Sequence, residues 1–414
     1  MITVLRPASP LQKRLRPLHL AAFLQGIGFW VPVEKLFMNE IGFDAASIGL
    51  MAAAYAAVVP ILEVPSGILA DRWSRRGVLM AASAALAISA LIGGLSHNVG
   101  TYILSALVLG VFFALESGTI DSIVYDTVLE ETGDSAAFER QIGRNRLANS
   151  AALVSSALIG GVLAGVAGTR ITYLLTVPLV ALSIVVLLRC SEPRLHRAAE
   201  TTSLRAHIGL TYRTLTRRGR LVPIVTLSVL TGLVLQVVLE FGPLWLVALA
   251  APAVLYGPFW AGLVSSLGLG GVIARRIHLD RPRTAAAAAA LMTGSSAVLT
   301  TSGNVIVVTA AQIVLTLLIV AAGIHISRLL NDAVSSTVRA GVASGVSTFT
   351  WIAFLPIALA FGLLSKHHGV HAAGWLITAI TLAAGALLVW MAHSRPAATT
   401  PTAAASPSLE PVPA

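Results

Sequence analysis

The amino-acid sequence predicts an all-α membrane protein in which twelve transmembrane helices form two six-helix halves. Hydrophobic residues make up 56% of the 414 positions and charged residues only 11%, and the mean hydropathy is +0.84. A soluble domain is ~45–50% apolar and ~25% charged. This chain therefore carries more apolar surface than a soluble core can bury, which excludes a soluble enzyme and a disordered chain.

The apolar residues are grouped in segments long enough to cross a bilayer, since a spanning helix needs ~20 predominantly apolar residues. Their unbroken character argues against an outer-membrane barrel, whose strands alternate polar and apolar residues. The predicted spans are residues 18–38, 46–70, 77–97, 101–128, 145–167, 171–189, 222–247, 253–274, 284–302, 305–327, 341–364 and 371–393.

The basic residues follow the topology of these spans. All but three of the 28 Lys and Arg residues fall in the N-terminal tail or after even-numbered spans, and the exceptions are Lys35, Arg170 and Lys366. Because basic residues concentrate on the cytoplasmic side, we expect a multi-pass protein of the plasma (inner) membrane with both termini in the cytoplasm. The net charge of +10 is then explained by the basic cytoplasmic segments of a protein embedded in a lipid bilayer, and we expect no nucleic-acid partner. The excess of Arg over Lys and the abundance of Ala indicate a GC-rich bacterial genome.

The chain lacks the residue patterns of an enzyme. Its single cysteine, Cys190, excludes a disulfide framework and a cysteine-based zinc site. There is no phosphate-binding G-x-x-x-x-G-K-[ST] sequence, no Ser, His and Asp arrangement that suggests a nucleophile, and no credible metal-ligand spacing. We therefore expect no enzymatic activity, no metal and no cofactor.

The longest interruption between spans divides the chain into two halves. Residues 190–221 form a polar, Arg-rich segment between 18–189 and 222–393, and we interpret them as a cytoplasmic linker. The segments 1–17 and 394–414 are predicted to be cytoplasmic tails, the second one disordered. Repeated halves in a chain with many spans are typical of secondary transporters, whose site lies near the middle of the membrane, and we expect a monomer.

The turn after the second span carries a specific motif. Its sequence, Gly67-Ile-Leu-Ala-Asp71-Arg72-Trp-Ser-Arg75-Arg76, resembles the G-x-L-A-D-R-x-G-R-R signature of the major facilitator superfamily, except that Ser74 replaces the second glycine. The resemblance implies the fold of that family and alternating access by two rocking halves. It also implies an inner latch formed by Gly67, Asp71, Arg72, Arg75 and Arg76.

Charged and amide residues inside the spans are the candidate functional residues, because a charge at the bilayer centre costs ~2.5–3.5 kcal/mol even on the lenient insertion scale. The resemblance implies that spans 1, 4, 7 and 10 line a central cavity, and most of the buried charges fall on that set. The candidates for proton coupling or the substrate cavity are Glu116, Asp121, Glu34, Lys35, Glu240, Gln25, Gln236 and Gln312.

Several roles remain open for these residues. Glu116 is nearest to the middle of the membrane and is a proton carrier, a hydrogen-bonded helix contact or a substrate contact. Glu34 and Lys35 are adjacent and thus about 100° apart on a helix, so we expect them to face different partners. Lys35 either extends outwards to the interface or pairs with Glu240 across the two halves and closes an outer gate. Glu240 is also a candidate second proton or cation site.

The resemblance and the buried acids together predict proton-coupled efflux of a small amphipathic or cationic organic compound, with the proton gradient as driving force. Two alternatives remain. The first is proton-coupled uptake of a small nutrient, and the second is a membrane binding or sensor protein that does not transport. Trp30, Trp245 and Trp351 either stack on an organic substrate or belong to the interfacial belt and the core.

Overall fold

The structure is a computed structural model. It describes residues 10–72, 74–116, 119–133, 137–193, 219, 221–274, 276–333 and 339–394. Most of the predicted linker 190–221 and of the tails 1–17 and 394–414 lies outside the described residues, so these domain boundaries stay predictions.

The described secondary structure is helical. The helices are α1 (Pro10–Gly26), α2 (Glu34–Glu40), α3 (Ala45–Arg72), α4 (Arg75–Leu95), α5 (Val99–Glu116), α6 (Thr119–Thr132), α7 (Phe138–Ala167), α8 (Thr169–Leu187), α9 (Val222–Phe241), α10 (Pro243–Ala248), α11 (Tyr256–Ala274), α12 (Pro282–Thr301), α13 (Val305–Ala333) and α14 (Arg339–His393). Short 3-10 turns at Val31–Val33 and Ala253–Leu255 precede α2 and α11.

The helices account for the twelve predicted spans. Within the described residues, ten segments are long and apolar enough to cross a membrane. The last of them, Gly345–His393, contains two helices that meet at Gly369, where φ is 84°. Such a positive φ favours glycine because it has no Cβ. The Ala-rich helix α12 supplies the twelfth span. The predicted all-α membrane fold is therefore confirmed.

The two halves meet along pairs of glycines that let the helix backbones approach closely. A Cβ on Gly49 of α3 would lie 2.5 Å from the carbonyl oxygen of Ala358 on α14, and one on Gly161 of α7 would lie 2.7 Å from the backbone nitrogen of Gly257 on α11. Small residues at helix contacts are the usual means of close packing in membranes, where the lipid is as apolar as the side chains. These contacts hold α3 against α14 and α7 against α11.

The first span is interrupted between α1 and α2. An interrupted helix leaves backbone groups without their helical partners, and in a membrane these groups need partners from the protein. The Gly28 amide donates to the Ser156 hydroxyl (3.3 Å), and the Phe29 amide donates to the Thr176 hydroxyl (3.2 Å). Side chains of α7 and α8 therefore stabilise the interruption, which lies beside the central cavity.

Candidate functional site: a cavity between the two halves

A cavity of about 770 Å³ lies between the two halves, within the range of ~300–1,000 Å³ that is usual for small-molecule sites. Its walls are largely apolar and aromatic. The aromatic lining residues are Trp30, Tyr55, Phe112, Phe113, Trp260 and Trp351. The candidate residues that line it are Gln25, Glu34, Glu116, Gln236 and Glu240. The cavity can accommodate an organic molecule of moderate size and presents carboxylates to it.

One end of this cavity, called here the closed end, is sealed by a buried cluster of charges. Lys35 is 1% exposed, and its ammonium group bonds to Glu34 Oε2 at 2.9 Å and to Glu240 Oε1. The Tyr55 hydroxyl donates to Glu240 Oε2 at 2.8 Å, and the Tyr102 hydroxyl donates to Glu34 Oε1 at 3.0 Å. Removing one partner of a buried ion pair leaves an uncompensated charge and costs ~3–5 kcal/mol.

The contacts at the closed end show that one expectation for Glu34 and Lys35 was wrong, and they decide between the two alternatives for Lys35. Glu34 and Lys35 were expected to face different partners, but they bond to each other. Both residues lie in the first turn of α2, and the long Lys35 side chain reaches back so that its ammonium group meets the Glu34 carboxylate. Lys35 was expected either to extend outwards or to pair with Glu240, and in the structure it pairs with Glu240. Its partner lies on α9 in the other half, so the pair joins the two halves.

At the opposite end, called here the open end, a second cavity of about 480 Å³ continues from the central one. Asp121 and Arg146 lie at its wall, 3.4 Å apart, with 48% and 72% of their side chains exposed. This pair resembles a surface ion pair, which contributes only ~0–1 kcal/mol. Among the described residues, Glu116 and Asn149 line both cavities. We call the place where the two cavities meet, marked by Glu116 and Asn149, the throat.

The three carboxylates of the central cavity differ in how they are compensated. Glu34 and Glu240 each accept from a tyrosine and from Lys35. No described residue donates a hydrogen bond to Glu116 or forms an ion pair with it, and the nearby charge is another acid, Asp121. Glu116 is therefore the uncompensated carboxylate at this site.

Two of the candidate residues do not line the central cavity, and their functional roles stay predictions. Gln312 on α13 is fully buried, away from the cavity, because its side-chain amide donates to the Gly242 carbonyl (3.3 Å) where α9 meets α10. None of the described lining residues comes from α13, and α14 contributes Val346, Ser347, Thr350 and Trp351 in its place. Asp121 lines the second cavity and not the central one.

The three tryptophans were expected either to stack on a substrate or to belong to the interfacial belt and the core, and they differ in position. Trp30 and Trp351 line the cavity. Trp245 is buried in the core, where its indole N–H donates to the Leu299 carbonyl at 2.8 Å.

The predicted inner latch is described only in part. The environment of Gly67 and the side chains of Asp71 and Arg72 are not described. Arg75 pairs with Asp126 on α6, and Arg76 donates to the Cys190 carbonyl at 3.2 Å. Ser74, the departure from the signature, caps α4 by accepting from the Gly77 amide at 2.8 Å and also contacts Glu192 at 3.1 Å. The latch role itself stays a prediction.

Sequence reasoning missed several residues of the site. Tyr55 and Tyr102 contact the buried carboxylates, but a tyrosine in an apolar span gives no signal that separates this role from core packing. Asn149 did have a signal. Gln141, Asn145 and Asn149 recur every four residues and lie on one face of a helix, a polar stripe in the first half of α7.

Comparisons with known proteins agree with this architecture. The sequence profile described as Major Facilitator Superfamily matches residues 18–351. The nitrite extrusion protein of Bacillus subtilis (strain 168) is 29% identical over 98 residues, which is 24% of this chain and 25% of that protein. The quinolone resistance protein NorA of Staphylococcus aureus is 23% identical over 118 residues, 28% of this chain and 30% of NorA. The matches thus span less than a third of these curated relatives.

Solved structures cover far more of the chain at lower identity. A variant of the nucleoside transporter NupG superposes with a TM-score of 0.75 at 16% identity, covering 91% of this chain and 99% of the other. A D-xylose–proton symporter gives a TM-score of 0.71 at 15% identity, covering 91% and 97%. An inward-facing bacterial homolog of the human lysosomal transporter Spinster gives 0.75 at 14%, covering 94% and 98%. At these identities the likeness shows the fold alone.

Proposed function

The chain belongs to the Major Facilitator Superfamily, and from that premise we propose that it exports small amphipathic or cationic organic compounds in exchange for protons. It is a multi-pass membrane transporter of that family. The substrate, the direction and the coupling ion are the proposed part. The names of the partial relatives, an extrusion protein and a resistance protein, agree with export.

The observation that carries this proposal is the uncompensated carboxylate of Glu116 at the throat. A buried carboxylate without a cation or a hydrogen-bond donor is costly, so it binds a proton or waits for a cation from outside the protein. The aromatic walls beside it accommodate the apolar part of a compound and attract cations through their ring faces. One group that binds either a proton or a cationic substrate is the simplest basis for exchange.

The closed end contributes a second element of the mechanism. The two described partners of Glu240, Lys35 and Tyr55, both lie in the N-terminal half, whereas Glu240 lies in the C-terminal half. Separation of the halves at this end would remove both partners together. In this proposal, Glu240 then takes up a proton from the exterior, and release of that proton accompanies closure.

The test uses the purified protein in proteoliposomes that contain a pH-sensitive dye. A panel of cationic and neutral amphiphiles is added under an imposed pH gradient. We expect substrate-dependent proton movement opposite to the substrate. The coupled flux of the variant Glu116→Gln should be lower than that of the original protein by a factor of about ten or more. Proton transfer by a positioned side chain contributes ~10²–10⁴-fold to a rate. Asp332→Asn, which changes an exposed acid on α13, serves as the control and should behave as the original protein.

Each result has a distinct meaning. Proton movement in the same direction as the substrate would replace export by uptake. Binding without flux would indicate a non-transporting binding protein. Unchanged coupled flux in Glu116→Gln would remove Glu116 from the mechanism.

We also propose that the protein resides in the plasma (inner) membrane as a monomer with both termini in the cytoplasm, so that the closed end faces outwards. The placement of basic residues supports this orientation. Labelling of cysteines introduced into the two tails, with and without membrane permeabilisation, tests it.

A further inference from the structure

We propose that Glu116 and Asn149 form a binding site for a cationic group that carries at least two N–H bonds, such as a protonated primary or secondary amine, an amidine or a guanidine. This inference rests on the proposed function, because it specifies the substrate class that the throat accepts. It also makes a stronger claim than a preference for cations, since it predicts discrimination against quaternary ammonium compounds of the same charge.

The orientation of Asn149 is fixed by its neighbours. Its side-chain nitrogen donates to the Ala22 carbonyl on α1 at 3.2 Å. This contact assigns nitrogen and oxygen within the amide, which is otherwise ambiguous. The helices α1 and α7 are close here. A Cβ on Gly26 would lie 2.8 Å from the backbone carbonyl oxygen of Asn149 and 3.0 Å from its side-chain nitrogen. The amide therefore cannot rotate freely, and its oxygen Oδ1 is the atom available to a ligand.

The throat consequently offers acceptors. Glu116 contributes a carboxylate and Asn149 contributes Oδ1, and no described residue donates a hydrogen bond to either. Two polar groups that line these cavities are engaged elsewhere, since the Gln25 amide donates to the Ser83 hydroxyl at 2.7 Å and Arg146 faces Asp121. Two acceptors of different type that line the same two cavities match two N–H donors of one cationic group.

The same geometry disfavours related ligands. A quaternary ammonium carries the charge but donates no hydrogen bond, so it would leave the Glu116 carboxylate and the Asn149 oxygen unsatisfied. Sites built around hydrogen bonds reject analogues that lack the donor for this reason. The aromatic side chains of the central cavity, including Trp260 and Trp351, would then hold the apolar remainder of the ligand and orient the amine towards the throat.

The test compares two probes that share one apolar group, naphthylmethylammonium and naphthylmethyl-trimethylammonium. Their dissociation constants are measured on the purified, detergent-solubilised full chain by quenching of tryptophan fluorescence. We expect the primary amine to bind about tenfold to a hundredfold more tightly, since a hydrogen bond to a charged group is worth about that factor. This measurement requires no transport.

Two variants examine the two acceptors. Glu116→Gln removes the charge, and Asn149→Leu removes the oxygen. Each should reduce the preference for the primary amine towards about one. Asn149→Thr retains an acceptor oxygen and should preserve part of the preference. The ratio of the two dissociation constants is the decisive quantity, because a general disturbance of folding would weaken both probes together and leave the ratio unchanged.

The outcomes separate this inference from the proposed function. Equal binding of the two probes, or binding of neither, would overturn the amine site. Coupled flux of other compounds would in that case still support the proposed function. Selective amine binding without any flux would support the throat site and overturn the proposed transport activity. An unchanged ratio in Asn149→Leu would show that Asn149 only packs against α1.

Discussion

At the closed end of the cavity, Lys35 is fully buried between two carboxylates, whereas at the open end Asp121 and Arg146 meet with about half or more of their side chains exposed. The closed end satisfies its charges with ion pairs, one of which joins the two halves, and with two tyrosine hydroxyls of the N-terminal half. The throat beside the open end leaves Glu116 without such partners. Among the described residues, the buried ion pair that joins the halves therefore lies at the closed end, and the uncompensated carboxylate lies at the throat.

The largest effect is expected when the buried charge cluster loses its cation. Lys35→Met would leave Glu34 and Glu240 as two buried acids facing each other, and breaking such a pair costs ~3–5 kcal/mol. We expect the closed end to open. A Leu235→Cys reporter on the cavity wall should then react with a membrane-impermeant maleimide on the order of a hundredfold faster. The native Cys190 is buried, so the reporter dominates the signal.

Glu240→Gln provides the graded comparison for this prediction. Its amide oxygen can still accept from Lys35 and its amide nitrogen can donate to the Tyr55 hydroxyl oxygen, so the acceleration should be smaller than in Lys35→Met. If the reporter were labelled at the same rate with and without Lys35→Met, the ion pairs would not be what holds this end closed.

A smaller effect is expected at the glycine contacts between the halves. In Gly161→Ala the new Cβ would lie 2.7 Å from the Gly257 backbone nitrogen, so the helices must separate at a cost of ~1–3 kcal/mol. We expect faster labelling of the Leu235→Cys reporter and a lower melting temperature. Gly165→Ala, four residues further along α7, has no atom within 4 Å of its new Cβ and serves as the matched control. Equal behaviour of the two variants would contradict a tight contact at this position.

The contrast between the ends also shows what the sequence could and could not predict. The sequence predicted the spans, the side that carries the basic residues and the signature turn, because apolar and charged residues partition very differently between lipid and water. The pairing of Lys35 with Glu240 was one of two alternatives, because a sequence does not show which of two distant helices meet. The position of Gln312 outside the cavity could not be predicted, and the polar stripe that contains Asn149 indicated a helix face but not the cavity that it lines. In a membrane, lipid-facing and protein-facing surfaces are both apolar, so the hydrophobic pattern does not reveal which face of a helix points inward.

Side-chain length and helix interruptions add a second reason. Glu34 and Lys35 both lie in α2, but the long Lys35 side chain brings its ammonium group to 2.9 Å from Glu34, which an argument from backbone angles does not capture. The first span is also interrupted between α1 and α2. The break itself depends on Ser156 and Thr176, which lie more than a hundred residues away. Local patterns cannot specify such an arrangement.

The smallest effect is expected at the exposed ion pair that also joins the halves at the closed end. Lys366 lies 2.8 Å from Asp44, and about half of each side chain is exposed, so the pair should contribute ~0–1 kcal/mol. Lys366 and the Ser47 groups hold the pKa of Asp44 below its ordinary value. A lowered pKa means that the stabilisation is fully present above the ordinary aspartate value of ~3.9 and is lost progressively as the pH falls from there through the lowered pKa of Asp44.

Three variants separate the ion pair from the helix cap. Asp44 Oδ1 also accepts from the Ser47 amide at 2.7 Å, ahead of α3. Lys366→Gln and Asp44→Asn should therefore accelerate reporter labelling only a fewfold at neutral pH. Their difference from the original protein in melting temperature should shrink as the pH falls from ~3.9 towards the lowered pKa of Asp44. Asp44→Ala also removes the cap, which is worth ~0.5–2 kcal/mol, and should lower the melting temperature more than the other two. If Lys366→Gln opened the closed end as far as Lys35→Met does, the buried cluster would not be the dominant contact between the halves.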